Sequence, residues 1–590
     1  MLDILWVVIC SGLVFLMQAG FMCLESGLTR TKNNINVAVK NLLDFAVSVA
    51  LFWIFGYGLM FGASQLGWFG LGSILPHINT TPETAVFFLF QAMFCGTATT
   101  IISGALAERL NFNSYLIIAA FVSGLIYPMF GHWAWNGLLE GNSGGWLEAI
   151  GFVDFAGSTV VHSTGAWVSL AALQLVGARQ GRFTKGAVNK IQGSNMPFSV
   201  LGALLLWFGW IGFNGGSTLA LNEQVPGIVL NTMLAGVMGL LTAATLSGIQ
   251  HKRVEVELII NGSIAGLVAI TACCHVVTTP MAAVVGVTGA GVAFLVEYWM
   301  VRSRLDDAVG AVAVHGGAGI WGTLCVALFG QMSVLETGLN RGSQLFVQLL
   351  GTGVCFLWAF GMSWAALWLL NQVMPLRVSD KAEIVGLNIS EHHAKTDTYD
   401  LFQVMDQQAQ TQDLSLRVPV EPYTEVGHIA TRYNQVMANL ERQHQQQVDD
   451  LEHIYHLVAI ASSALDTHTF DINDSELEEL SERQDDLGHL ARVFQQLLHE
   501  VNSREELLNG VWAGLSPLDP SIQKQILLQA LTTRFGSLPD HIGSDIEQQL
   551  TQGDHATTLA EVWKRLVQQV ETKLTDHQNS ARDTSVELLR

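Results

Sequence analysis

The sequence predicts an all-α protein: eleven helices crossing a membrane, followed by a soluble helical tail. Three observations predict it. Half of the residues are hydrophobic and only 13% are charged, a balance too apolar for an ordinary soluble protein. Apolar runs close to the roughly 20 residues that cross a bilayer recur eleven times, near 3–25, 40–62, 83–107, 114–134, 154–176, 197–219, 227–249, 257–275, 281–301, 308–330 and 344–372. Charge is divided unevenly. Residues 1–376 carry 13 Lys and Arg against 15 Asp and Glu, while the rest of the chain carries 16 against 35, with the break near "NQVMPLRVSD".

Orientation follows from the basic residues, which cytoplasmic loops retain. With the N-terminus outside, the inner loops hold Arg30, Lys32, Lys40, Arg109, Arg179, Arg182, Lys185, Lys190, Lys252, Arg253, Arg302 and Arg304, and the outer loops hold only Arg341. An odd number of spans then places the acidic tail in the cytosol, as expected of a multi-pass protein of a bacterial inner membrane. The first apolar run lacks a basic n-region and a clear small-residue cleavage site, so it reads as a retained span. So acidic a tail argues against nucleic acid as a partner. All seven cysteines fall in the apolar part without metal-ligand spacing, and Cys273–Cys274 read as small packing residues. Twelve of the 18 histidines lie scattered in the tail. No metal and no cofactor is expected, and no catalytic constellation supports an enzyme.

Within the spans, polar and aromatic residues carry the interest. In the third span, "QAMFCGTATT" sets Phe94 beside small polar residues. The fourth ends in "GHWAWN", where Trp133 or Trp135 serves either as an interfacial anchor or as an indole face that attracts a small cation. The fifth opens with "DFAGSTVVHSTGAW". Asp154 at a helix start caps backbone amides or acts on a passing cation. His162, eight residues on, lies about 12 Å deeper. In the sixth span, "WIGFNGGSTL" sets Phe213 near Ser217. The tenth carries "AVGAVAVHGGAGIWGT", with His315 at a depth matching His162 from the opposite side. Each histidine is either a satisfied packing residue or part of a pore, since ionisable groups at depth usually face a partner or a cavity. Two imidazoles at one depth can hydrogen-bond to each other. The phenylalanines read as packing contacts, and the many glycines as sites of close helix approach.

The segments "FCGTATTIISGALAER", "GHWAW", "DFAGSTVVH", "WIGFNGGS" and "DDAVGAVAVHGGAGIWGTL" closely resemble the ammonium transporter (Amt/Rh) family. The resemblance covers essentially all of residues 1–376. It implies a homotrimer of eleven-helix subunits, each with two pseudo-symmetric halves and its own pore. It assigns Trp135 and Ser217 to an outer ammonium-recruiting site supported by Asp154, Phe94 and Phe213 to a stacked gate, and His162 and His315 to a hydrogen-bonded pair lining the pore. Two departures stand out: "WIGFNGGS" in place of a more usual "WFGFN" start, and a short insertion, "NGLLEGNSGG", after Trp135.

After the membrane domain, residues 1–376, comes a region of 377–410 in which "EIVGLNISEHHA" resembles the family's C-terminal coupling segment. Residues 411–445 and 446–510 contain a near-repeat. "TEVGHIATRYNQVMANLERQ" and "DDLGHLARVFQQLLHEVNSR" share an acidic–x–Gly–His–apolar–Ala start followed by heptad-like apolar positions. The pattern resembles the second helix of HAMP signalling linkers; a plain acidic coiled coil is the alternative. Neither ATP-lid boxes nor a "GGDEF"-like loop occurs, and residues 511–590 read as a small helical region of unassigned role. The expected function is passage of ammonium or ammonia, with the tail reporting on it or regulating it through a signalling partner or a PII-type regulator. The rival is a receptor of the same fold that binds ammonium with little flux.

Overall fold

A computed structural model describes residues 1–590 except 140–141, 143, 185–186, 396, 468–474, 516, 537–543, 545–547, 549–562, 569–571 and 573–590. Lys185, residues 140, 141 and 143 of the insertion after Trp135, and most of the chain beyond residue 536 therefore lie outside the described residues. The chain forms two compact units, Met1–Thr396 and Asp397–Arg590.

The first unit is a helical bundle. Among its described residues, ten helices are long and apolar enough to cross a membrane: α1 Leu2–Leu28, α2 Thr31–Phe61, α3 Pro82–Ala105, α4 Phe112–Leu138, α5 Ser158–Val176, α6 Met196–Gly216, α7 Val225–His251, α9 Thr279–Arg302, α10 Val312–Phe329 and α11 Arg341–Val373. The segment expected at 257–275 forms a shorter apolar helix, α8, Val256–Thr271. Its 16 residues rise about 24 Å, less than a hydrocarbon core of about 30 Å. A turn through Cys273 and Val276 completes the segment.

Helix starts are set locally. Thr81 accepts the Thr84 amide ahead of Pro82 in α3, and Asn195 accepts the Phe198 amide at the start of α6. Proline suits such positions because the first-turn amide has no helical partner anyway. The helices α3 and α5 are the most enclosed, and every side chain from Phe90 to Ala105 is buried. Peripheral helices instead present large apolar side chains such as Leu42, Phe208, Leu295, Phe346 and Leu357 outward. Hydrophobic burial cannot hold such helices together in lipid, so close packing must. The α1–α6 seam shows how: a Cβ on Gly202 would meet the Gly20 carbonyl oxygen at 2.6 Å, and one on Gly212 the Cys10 carbonyl oxygen at 2.7 Å.

The end of the bundle opposite Trp135 is held by ions. Arg179 grips Asp306 through two bonds of 2.8 and 2.9 Å and reaches Glu108 at 3.4 Å. Glu108 also pairs with Arg30. Burial alone would raise the Asp306 carboxyl, but the Arg179 hydrogen bonds and charge outweigh it and hold it well below the usual range. Burial lowers the Arg109 guanidinium to about 10 while it donates to the Ala105, Ala107 and Gly177 carbonyls.

Residues 377–395 belong to this first unit, beyond the expected boundary at 376, because they are pinned to its ionic end. Lys32 donates to the carbonyls of Glu383 and Ile384. Glu383 pairs with Arg377 at 2.7 Å and accepts the Gln180 amide. Asn388 accepts the Asn36 amide and donates to the Thr31 carbonyl. Two short helices result, α12 Asp380–Val385 and α13 Leu387–His392.

The second unit contains α14 Asp397–Thr411, α15 Glu425–Thr467, α16 Ser475–Ser481, α17 Asp486–Leu515 and α18 Pro520–Phe535. The near-repeat falls on equivalent helix starts. Thr424 caps α15 by accepting the Gly427 amide, and Asp485 caps α17 by accepting the Gly488 amide, each at 2.9 Å. The repeated alanines, Ala430 and Ala491, are both buried. Ala430 packs with Leu401 and Val418, and Ala491 with Leu457, Leu477 and Leu487. In the first cluster Asn434 holds the Val418 backbone from both sides, accepting its amide and donating to its carbonyl.

Candidate functional site

The seven residues singled out in the sequence meet in one column through the first unit. At one end the Trp135 indole, buried, donates to the Asp154 carbonyl at 2.7 Å. Its ring stands edge-on to Phe94, with centroids 6.2 Å apart. Beneath it Phe94 and Phe213 lie nearly parallel as a stacked pair, 16° apart with centroids at 4.0 Å. Ser217, one turn beyond Phe213, donates to the Phe213 carbonyl at 2.8 Å. Next comes His162, whose ring lies 5.4 Å from those of Phe213 and Trp210. His315 follows, its Nδ1 3.3 Å from Nδ1 of His162. At that separation one nitrogen donates and the other accepts. Nε2 of His162 is buried without a hydrogen-bond partner in the protein. Phe21 stands on the far side of His315, at 5.9 Å.

The local backbone explains how a histidine reaches the axis from each side. Both lie in widened, π-type turns, Ser158–Ser163 and Val312–Gly317. The His162 amide bonds to the Gly157 carbonyl five residues back. Such turns rotate the following side chains out of the regular helical ridge and recur at functional sites. A left-handed glycine shortly precedes each, Gly157 at φ 109° and Gly310 at φ 82°, which a side chain would strain.

A matching carboxylate caps each turn. Asp154 Oδ1 accepts the amides of Gly157 and Ser158, and Oδ2 those of Thr159 and Val160, at 2.8–3.1 Å. Its oxygens are thus committed to the backbone, and its influence on the Trp135 end passes through the turn and the Trp135 hydrogen bond. Asp307 does the same for the second turn, accepting from Val309, Gly310 and Val312. The sequence reading missed Asp307, although its signal was present: Asp–x2–Gly–x4–His occurs as "DFAGSTVVH" and again as "DAVGAVAVH". The two copies lie five helices apart, an odd offset that inverts the second relative to the first.

Of the two tryptophans considered for the same role, Trp133 packs elsewhere. It donates to the Trp68 carbonyl and stands among Trp68, Trp146 and Trp358. All seven cysteines are buried and unpaired. No cluster of three or more His, Cys, Asp or Glu able to hold a metal occurs among the described residues.

Residues 5–397 match the model of the Ammonium Transporter Family. A candidate ammonium transporter of Synechocystis sp. is 60% identical over 515 residues, 86% of this chain and 95% of the relative. The ammonium transporter Amt2 of Archaeoglobus fulgidus is 41% identical over 415 residues, 66% of this chain and 87% of the relative. Among solved structures, one described as a sensor Amt protein superposes with a TM-score of 0.64 at 40% identity, covering 66% of this chain and 98% of that one. Saccharomyces cerevisiae Mep2 does so with a TM-score of 0.57 at 25% identity, covering 64% and 88%.

Proposed function

We propose that this chain, which belongs to the ammonium transporter family, moves ammonium through the Trp135–His315 column by stripping it of its proton. Ammonium transport and the multi-pass membrane setting come with the family; the route is our reading. Trp135 and Ser217 receive the cation at the outer end, where Trp135 bonds to the backbone of Asp154, the residue that holds the neighbouring turn in shape. The Phe94–Phe213 pair then imposes desolvation, which for an ion reaches tens of kcal/mol in the idealised limit. Ammonium escapes that cost by leaving its proton and crossing as ammonia. Potassium, of similar size and charge, has no such option. His162 and His315 offer the neutral passenger hydrogen bonds and carry the proton separately.

The observation that carries this reading is the single column: a stacked aromatic pair at 4.0 Å directly above two imidazoles in contact at 3.3 Å. The test is electrophysiology on the full chain in proteoliposomes. The expected result is a saturable ammonium current, none from potassium, and loss of current or selectivity in His162→Ala and His315→Ala. Unchanged current and selectivity in both variants would remove the histidines from the mechanism.

The assembly is a homotrimer in an inner membrane with the N-terminus outside and the tail in the cytosol, where the region 377–410 couples the subunits. The helix–connector–helix units around Ala430 and Ala491 are HAMP-like relays to a signalling partner. A second reading, a receptor with little flux, draws on the 40% identity to the protein described as a sensor Amt. Ammonium binding without current in the same proteoliposomes would favour it.

A further inference from the structure

The connection from α2 to α3, at the Trp135 end of the bundle, is a loop without charge. Residues 45–82 contain no Asp, Glu, Lys or Arg. Two short strands, β1 Ala63–Gln65 and β2 Phe69–Leu71, pair as an antiparallel hairpin. Its body is bonded to α4 and the loop beyond: Ser64 pairs with His132, the Gly67 carbonyl accepts the Trp146 amide, and the Trp68 carbonyl accepts the Trp133 indole. Its apolar side chains are left uncovered. Leu66 at the tip is 94% exposed, and past the tip Leu71 and Ile74 are 60% and 74% exposed. Leu66 and Leu75 are also held at φ 56° and 54°, where leucine is rare. Leucines spread outward from a firmly bonded turn form an apolar patch, and such patches mark contact with a partner.

Beyond the hairpin the chain turns back along α2. A Cβ on Gly72 would meet the Gly58 Cα at 2.4 Å, so the two backbones touch there. Farther on, Leu75 donates its amide to the Ile54 carbonyl at 2.8 Å, and the Trp53 indole donates to the Pro76 carbonyl at 3.3 Å. From Phe61 back to Trp53 is a descent of about 12 Å along the helix. The 31 residues of α2 span about 46 Å, against about 30 Å for the hydrocarbon core and about 40–45 Å with the headgroups. The returning segment therefore lies beside the boundary between headgroups and hydrocarbon. Unpaired backbone is not tolerated in hydrocarbon. The deepest peptide groups here, the Leu75 amide and the Pro76 carbonyl, are the two that α2 satisfies, and Pro76 has no amide to satisfy. Trp53 and Phe55 are themselves exposed, and indoles favour this layer.

We propose that residues 66–76 are an interfacial anchor seated in the bilayer leaflet on the Trp135 side, with phospholipid as the partner. Three features favour lipid over protein. The patch continues the exposed apolar side of α2, it carries no charge for a protein surface to match, and it steps inward to a tryptophan. The anchor is independent of the route that ammonium takes. The test uses the full chain in vesicles of three parts phosphatidylethanolamine to one of phosphatidylglycerol, with a nitroxide attached at Leu71→Cys or Ile74→Cys. All seven native cysteines are buried, so the unsubstituted chain serves as the blank. Electron paramagnetic resonance then compares access by oxygen, which concentrates in lipid, with access by a water-soluble nickel chelate. Leu357→Cys on the outward side of α11 is the lipid-facing reference, and Glu223→Cys, in an exposed loop, is the water-facing one. Both probes are expected to match Leu357→Cys, with an oxygen-to-nickel ratio several-fold above that at Glu223→Cys. A ratio equal to that at Glu223→Cys overturns the proposal. Exclusion of both reagents overturns it equally, because it would place a protein partner or a second copy of the chain on the patch. Should one variant fail to assemble, the other alone decides, since both side chains are uncovered.

Discussion

Replacing Asp154 by asparagine separates a carboxylate that builds the site from one that touches the passenger. Four backbone amides donate to its two oxygens, two to each. Asparagine keeps one oxygen and its two bonds, but turns an NH2 group toward the amides of Thr159 and Val160. Two charge-assisted bonds are lost and two buried donors are left facing another donor. At 1.5–3 kcal/mol for each such bond, the loss is about 3–6 kcal/mol. At roughly 2 °C per kcal/mol for a large domain, melting should fall by on the order of 6–12 °C. The assay is thermal unfolding of the purified assembly in detergent, followed by size-exclusion chromatography, with ammonium current measured on whatever remains assembled. Asp307→Asn, which disturbs the corresponding cap, should destabilise by a comparable amount. If Asp154→Asn melts with the wild type while its ammonium current disappears, the capping argument is wrong and the carboxylate acts on the cation directly.

Phe213→Ala opens the stacked pair and should admit potassium, read as a potassium current absent from the wild type; a variant that still excludes potassium would place the barrier elsewhere. Asp306→Asn should cost about 3–5 kcal/mol, as breaking a buried ion pair does, measured by thermal unfolding. Because the folded Asp306 carboxyl is held below its unfolded value of about 3.9, its contribution is complete above that pH and fades as pH falls through the folded value. The gap between wild type and variant should therefore stay constant from pH 5 to 8 and narrow only in strong acid. Deleting residues 397–590 should leave the first unit folded and basal transport largely intact while abolishing any ammonium-dependent signal; correctly assembled protein without flux would show that the tail takes part in transport.

Much of the membrane architecture was legible because lipid imposes simple rules. A span must be long and apolar, and the run at 83–107 has no other use for "VFFLFQAMFCGTATTIISGA" than a buried helix. The exception is instructive. The segment at 257–275 contains enough apolar residues, yet its helix ends at Thr271 and the remainder turns through Cys273 and Val276, a choice made by packing rather than by hydropathy. In the site, both histidines could be placed at one depth by counting from Asp154 and along the tenth span. The phenylalanines could not be told from packing residues by composition, and only the family motifs raised them above the many others. Asp307 was overlooked because it sits beside Asp306 in a run that reads as a charged loop end, although spacing alone would have paired it with Asp154. In the tail, repeated Gly–His–apolar–Ala positions located two helix starts, and buried Ala430 and Ala491 explain the repeat: a larger side chain at either would overpack a small cluster.

Hydrophobic length, charge bias and motif order are one-dimensional properties, so the sequence alone determined the membrane class, the helix count to within one short segment, the family and the residues worth examining. Tertiary structure decided what those residues do to one another. Two left-handed glycines and two widened turns swing the histidines onto one axis, Asp154 spends its oxygens on the backbone instead of the pore, and the segment past the β1–β2 hairpin turns back along α2. Such outcomes depend on contacts between segments more than 150 residues apart (His162 and His315 are separated by 153 positions), and no local pattern encodes a distance of that kind.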